Sequence, residues 1–292
     1  MAQKTFSPNA RKFAKLYTLA QAIQTGGDVE ISKALLTLQT DAAFQGKAWQ
    51  ANFAKLADAI TSGNPAFSIF ALSGNSKLPF VSFSSLPGVT CPGAGDCLDY
   101  CYSFRAWRYP AAFMRQAQNA YLMRFNPAPI AQAFQAIAAK RPEGFDFRLY
   151  VDGDFSGVSD IHFWVQQLKA APNARAYGYS KSFHALIGYG VGGDAWPKNY
   201  QLNISGGHNA DAALVHAVKQ LPIVRGEFVA VSIGKKVKAS DHGKPETNAA
   251  IRQAMQGEKV FPCPGTCGDC TGKGHACGMQ QLKGIKIAIA MH

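Results

Sequence analysis

All seven cysteines fall in two short segments. Cys91, Cys97 and Cys101 lie in TCPGAGDCLDYCY, and Cys263, Cys267, Cys270 and Cys277 in FPCPGTCGDCTGKGHACG. Cysteines that only fill a core scatter through apolar elements. These stand among Pro, Gly and Asp, in stretches that read as loops. Disulfides would need an oxidising compartment, and the number is odd. Thiolates are the usual ligands of iron–sulfur clusters and of structural zinc, so both segments read as metal sites. The spacings are C-x5-C-x3-C and C-x3-C-x2-C-x6-C, short enough for one loop to wrap one site. The four-cysteine set can complete a [4Fe–4S] cluster or a zinc ion, with His275 as a spare ligand. The three-cysteine set leaves one position open, where a substrate or cofactor binds. Pro92, Gly93 and Gly95, then Pro264, Gly265 and Gly268, are expected to let the backbone approach inorganic sulfide closely.

The elements that must hold these loops read as an α/β chain. Residues 1–64 are Ala/Leu-rich and helical, with apolar residues at Phe13, Leu16, Leu19, Ala20 and Ile23, and again at Phe53, Leu56, Ala57 and Ile60. Strands are predicted at Ser68–Leu72, Pro79–Phe83, Phe147–Val151, Ala174–Tyr179, Tyr200–Ile204, Phe228–Ile233 and Lys286–Ala290. Helices are predicted at Ala111–Phe125, Pro129–Ala139, Asp160–Ala170, Ala210–Gln220 and Pro245–Gln256. This βα rhythm implies a partial parallel (βα) barrel over 65–260, followed by a Cys-rich metal loop and final strand over 261–292. Function in such a fold sits at the C-terminal ends of the strands.

Polar groups fall where that rule expects them. Asp152-Gly153-Asp154, Lys181, and Ser205-Gly206-Gly207 each follow a predicted strand. The carboxylates suit an amine or ribose, and Lys181 a carboxylate or phosphate. Gly206-Gly207 ahead of a helix suits an anion. Between Asp99 and Glu143 there is no acidic residue, while Arg105, Arg108, Arg115 and Arg124 interleave with Trp107, Tyr109, Phe113, Tyr121 and Phe125. Arg108 and Arg115 are expected on one helix face. With Lys235 and Lys236 they form a candidate surface for DNA or RNA. The aromatics are expected to pack inward instead. The net charge of +12 agrees with an anionic partner but is spread along the chain, as on any basic globular surface. The longest apolar run, Ile287–Met291, is too short for a bilayer, and the first residues show no apolar signal segment. The expectation is a cytoplasmic protein with no membrane partner.

The order GNSKLP, LPGVTCPG, RLYVDGDFS, YSKS, LNISGG and a late CP..C..C resembles the phage and plasmid gene-product-88 family, from about Gly74 to Cys277. That resemblance implies a protein of bacterial mobile elements. A more distant one is to the radical SAM enzymes, whose cluster is held by three cysteines in a loop after an early barrel strand. Tyr100 stands before Cys101 as an aromatic does there, and Gly153-Asp154 stands where those enzymes hold the S-adenosylmethionine amine. The usual C-x3-C-x2-C spacing, however, occurs at Cys263, Cys267 and Cys270.

The leading expectation is an iron–sulfur protein with one or two [4Fe–4S] clusters, and zinc as the alternative at the second set. As a radical-SAM-like enzyme it would bind S-adenosylmethionine through Asp152, Gly153, Asp154, Lys181, Ser205 and Gly206. Another is a non-catalytic nucleic-acid-binding protein whose metal sites staple its loops. The third is a redox-sensing interaction protein.

Overall fold

The computed structural model describes residues 11–291 apart from 73–77, 100, 194, 236, 269 and 273. Seven strands form one all-parallel sheet: β1 (Val81–Ser82), β2 (Phe145–Leu149), β3 (Ala174–Ser180), β4 (Tyr200–Ser205), β5 (Val224–Val231), β6 (Val260–Pro262) and β7 (Lys286–Ala290). Their order is β1-β2-β3-β4-β5-β7-β6. This is the expected parallel βα barrel-like fold, with β1 and β6 at its two edges. The last strand does not follow the winding: β7 lies between β5 and β6 and pairs with both.

Helices α1 (Arg11–Thr25), α2 (Asp28–Thr40) and α3 (Lys47–Ser62) precede the sheet. Then come α4 (Pro110–Phe125), α5 (Ala128–Ala139), α6 (Val158–Ala170), α7 (Phe183–Gly192), α8 (Ala212–Lys219) and α9 (Pro245–Ala254). Leu16, Leu19 and Ile23 of α1, Ile31 and Leu35 of α2, and Phe53 and Leu56 of α3 are buried in the same apolar cluster as the sheet. Among the described residues, no helix is long and apolar enough to cross a membrane.

Side chains alternate across each strand. Phe145, Phe147 and Leu149 of β2 face the helices, where Phe147 meets Phe134 at 4.9 Å and Trp164 at 5.6 Å between ring centres. Asp146 and Arg148 point to the other face. There Tyr177 of β3 and Ile287 of β7 build a second, smaller core with Ala276 and Cys277. The four-cysteine loop is thus packed onto the inner face of the sheet.

Three elements differ from expectation. Residues 68–72 form no strand; Ala71 makes only an antiparallel bridge to Ser82. The buried side chains Gln118 and Asn119 of α4 take up this segment's backbone: Gln118 accepts from Ala66 N and Phe67 N, and Asn119 donates to Ile69 O. Helix α7 was not predicted because Gly188, Gly190 and Gly192 lower its propensity. Two of them serve packing, since a Cβ on Gly188 would stand 3.2 Å from Val158 of α6 and one on Gly190 3.1 Å from Leu221. Strand β6 was missed because it has only three residues and ends in Pro262.

Candidate metal centres

The three-cysteine loop sits at the mouth of the barrel, across the loops that follow β2, β3 and β4. Backbone bonds fix it there. Gly95 N and Cys97 N both donate to Gly207 O, at 3.0 and 3.2 Å, and Asn209 N donates to Gly93 O at 3.1 Å. A Cβ on Gly93 would lie 1.6 Å from Lys181 O. The close approach that demands glycine here is therefore to the Lys181 carbonyl.

The carboxylates are tied down by their own chain. Asp154 is buried and accepts from Phe155 N at 2.8 Å and Lys181 N at 2.7 Å. Asp152 accepts from Gln116 Nε2 at 3.0 Å, and Gln116 in turn accepts from Trp107 Nε1. Burial raises the pKa of both, against these bonds. Expected to bind an amine or ribose, they act first as staples between loops. Between them Gly153 has φ 78°, and a Cβ there would meet Thr90 Oγ1 at 2.7 Å. Two residues before Asp152, the buried Tyr150 is held at φ 53°, a costly conformation for a bulky side chain.

The anion site expected at Gly206-Gly207 is not built. Gly206 N donates to Phe228 O at 2.8 Å, so its N–H belongs to the sheet. Helix α8 starts only at Ala212, and the Asp211 carboxylate already caps it by accepting from Leu214 N. Lys181 Nζ does donate to Ser205 Oγ at 2.8 Å, which leaves two ammonium protons for a carboxylate or phosphate. Beside it His208 carries a buried Nδ1 with no hydrogen-bond partner. Burial and then Lys181 lower the His208 pKa, so this ring is neutral at pH 7. Burial, and next the Asp154 charge, push the Cys91 thiol up; burial does the same for Cys101.

The four-cysteine loop begins where Cys263 N donates to Ala288 O at 2.7 Å. Each of its sulfurs has a donor. Gly265 N donates to Cys263 at 3.4 Å, Ala276 N to Cys270 at 3.3 Å, and Tyr179 Oη to Cys277 at 2.8 Å. Arg148 Nη1 stands 3.9 Å from Cys267. Burial raises the Cys263 pKa to about 11 and the Cys277 pKa to about 12, above the range of a free thiol. His275 is not spare: Nδ1 accepts from Gly278 N at 3.1 Å and Nε2 faces Asp146 at 3.6 Å. Among the described residues, no three His, Cys, Asp or Glu side chains close into a shell for a single ion.

Two arginines that the sequence reading passed over organise this interior. The Arg148 guanidinium interacts with Asp152 and Tyr102 toward the mouth, and with Cys263, Cys267 and Cys277 toward the loop. Its Nε is buried without a partner. Arg225, 1% exposed, donates to Asn203 Oδ1 at 2.6 Å, Leu282 O at 2.7 Å and Ile285 O at 3.0 Å. Asn203 in turn donates to Cys277 O at 2.9 Å. Together they clamp the end of the four-cysteine loop to the sheet. Arginine within a parallel strand is the signal that was available, because both faces of such strands are ordinarily apolar.

The basic segment divides. Arg105 and Arg108 are exposed on a 3-10 helix, Tyr102–Arg108, that ends before α4. Arg115 belongs to α4, so it shares no helix face with Arg108, and its Nε is buried. Arg124 caps α1 by donating to Ile23 O and Gly26 O. Trp107, Phe113 and Tyr121 pack inward as expected, but Tyr109 and Phe125 are exposed. Lys235 is exposed after β5. Lys236, Tyr100 and most of the GNSKLP stretch lie outside the described residues.

A parallel α/β barrel-like sheet with one cysteine loop at its mouth and another on its inner face defines the class of the protein. The Gene product 88 family model matches residues 46–283, from just before α3 to just before β7, and the chain belongs to that family. No curated protein and no solved structure matches it.

Proposed function

We propose that the chain is an iron–sulfur protein. The four-cysteine loop would hold one cluster, and Cys91, Cys97 and Cys101 a second with one iron open to the mouth. The observation that carries this reading is the set of donors around the second loop, with a donor directed at each of four cysteine sulfurs. Neutral thiols are weak acceptors and do not need such a shell, whereas thiolates on a metal do. Burial raises the Cys263 and Cys277 thiols, so these two ionise only when a bound cation takes the charge. Arg148 offsets part of the negative charge that remains. Arg148 Nε and His208 Nδ1 are buried without a hydrogen-bond partner and leave polar capacity unused.

When bound, such clusters supply one-electron chemistry, and an open iron accepts a further ligand. S-adenosylmethionine is the co-reactant we propose there. Lys181 and Ser205 would hold its carboxylate. Asp152 and Asp154 would keep the β2 and β3 loops in place around it.

The test is iron, sulfide and zinc content, with a visible spectrum, on protein purified without oxygen. Cys91→Ala and Cys277→Ala should each remove about four irons, one cubane's worth. Zinc alone, without visible absorbance, would overturn the reading and leave a protein whose loops are stapled by zinc. Failure of the reduced, iron-loaded protein to bind S-adenosylmethionine would remove that co-reactant alone.

A further inference from the structure

The 3-10 helix Tyr102–Arg108 runs out from Cys101 at the mouth. In such a helix residues three apart eclipse one another. Tyr102, Arg105 and Arg108 therefore form one row, and all three are exposed. Ser103, Phe104 and Trp107 between them are buried. Tyr109 extends the exposed side at 68%. The sequence supplies no acidic residue from 100 to 142 to neutralise this row. Among the described residues neither arginine forms an ion pair.

Tyr102 is 51% exposed, yet its tip is held. The hydroxyl donates to Val151 O at 3.3 Å and lies beside Arg148. A ring pinned in this way offers a fixed face at low entropic cost, one residue from a cysteine of the mouth. Guanidinium groups in a row bind successive phosphates, and exposed aromatic rings stack on bases that are not already paired. We propose that this row binds single-stranded nucleic acid and lays one base on Tyr102 at the barrel mouth. A duplex keeps its bases stacked and presents only phosphates to the same row. The substrate class of the mouth is then a nucleotide within a single strand. The inference rests on the metal-centre reading for the chemistry done there, not for the binding.

The experiment uses the full chain with labelled oligo(dT), oligo(U) and a mixed-sequence duplex, followed by fluorescence anisotropy over a salt series. Single strands should bind more tightly than the duplex, and the comparison of oligo(dT) with oligo(U) tells DNA from RNA. Replacing Arg105→Ala together with Arg108→Ala should flatten the slope of log affinity against log salt by about 1.4, at about 0.7 per lost contact. Tyr102→Ala should weaken single-strand binding about 5- to 150-fold, while Tyr102→Phe keeps the ring and most of the affinity. If Tyr102→Ala lowers the thermal midpoint, Tyr102→Leu removes the ring with its bulk retained. No single-strand binding at low salt, a preference for duplex, or unchanged affinity and slope in these variants would overturn the proposal. Iron measured on the same samples separates the two readings: iron without binding sinks this one, and binding without iron sinks the other.

Discussion

Replacing Arg225→Met should destabilise the fold by about 3 kcal/mol. The change strands two acceptors, the buried Asn203 Oδ1 and the part-buried Ile285 O, and takes from Leu282 O one of its two donors, leaving it Ile285 N. Each abandoned acceptor costs about 1–3 kcal/mol. Relief of the buried guanidinium, and the apolar contacts that methionine makes, offset part of that sum. At about 2–3 °C per kcal/mol for a chain of this size, the thermal midpoint should fall by about 6–9 °C. Arg225→Lys keeps a charge but cannot reach all three acceptors at once, so it should fall between wild type and Met. Because the clamp holds the end of the four-cysteine loop, the proposed metal reading expects Arg225→Met to bind less metal at that loop and as much as wild type at Cys91, Cys97 and Cys101. A midpoint within about 2 °C of wild type would refute the clamp.

Two further outcomes test the mouth and its supports. Asp160 accepts from Ser156 N and Oγ, both at 2.8 Å, yet burial raises its pKa. A raised folded value means that its stabilising share is present below the unfolded value of about 3.9 and is lost as pH climbs through the folded one. Asp160→Asn, which cannot ionise, should therefore gain on wild type from acid to neutral pH; a difference in midpoint that stays flat over that range would sink the argument. Gly153→Ala carries about 1–2 kcal/mol of left-handed strain plus the contact with Thr90 Oγ1. Gly257→Ala, at φ 84° with nothing within 4 Å, carries the strain alone. Urea midpoints should show the larger loss at Gly153, and equal losses would mean that the contact relaxes at no cost.

What could be read from the sequence was whatever leaves a periodic or clustered trace. The seven cysteines marked two loops by their grouping, and the structure seats one at the mouth and the other on the inner face. Strands β2 to β5 and β7 showed as short apolar runs at regular spacing, and Pro129 and Pro245 marked first turns of α5 and α9. Helix α7 left no such trace, because its glycines trade propensity for close packing. The roles of Asp152, Asp154 and Gly206 were beyond reach, since they depend on which loop lies opposite. Arg148 falls inside a predicted strand, where an arginine is a signal, but Arg225 precedes the predicted strand Phe228–Ile233. Only the return of the four-cysteine loop over the inner face shows them as interior groups. The row Tyr102, Arg105 and Arg108 was hidden for a different reason: its spacing is that of a 3-10 turn, and an α-helical reading joins Arg108 to Arg115 instead.

The placement of β7 sets an order of events. β6 is an edge strand whose one partner is β7, and the cysteines that follow β6 are seated through Cys263 N on Ala288 O. Among the described residues, the backbone partners of the three-cysteine loop, Gly88, Gly207 and Asn209, all precede β5. A chain synthesised from its N-terminus therefore completes the mouth first. The interior waits until residues 286–290 slide in beside β5. On the proposed metal reading, the outer cysteines are seated first, and the nascent protein passes through a stage in which they are in place while the inner ones still await β7.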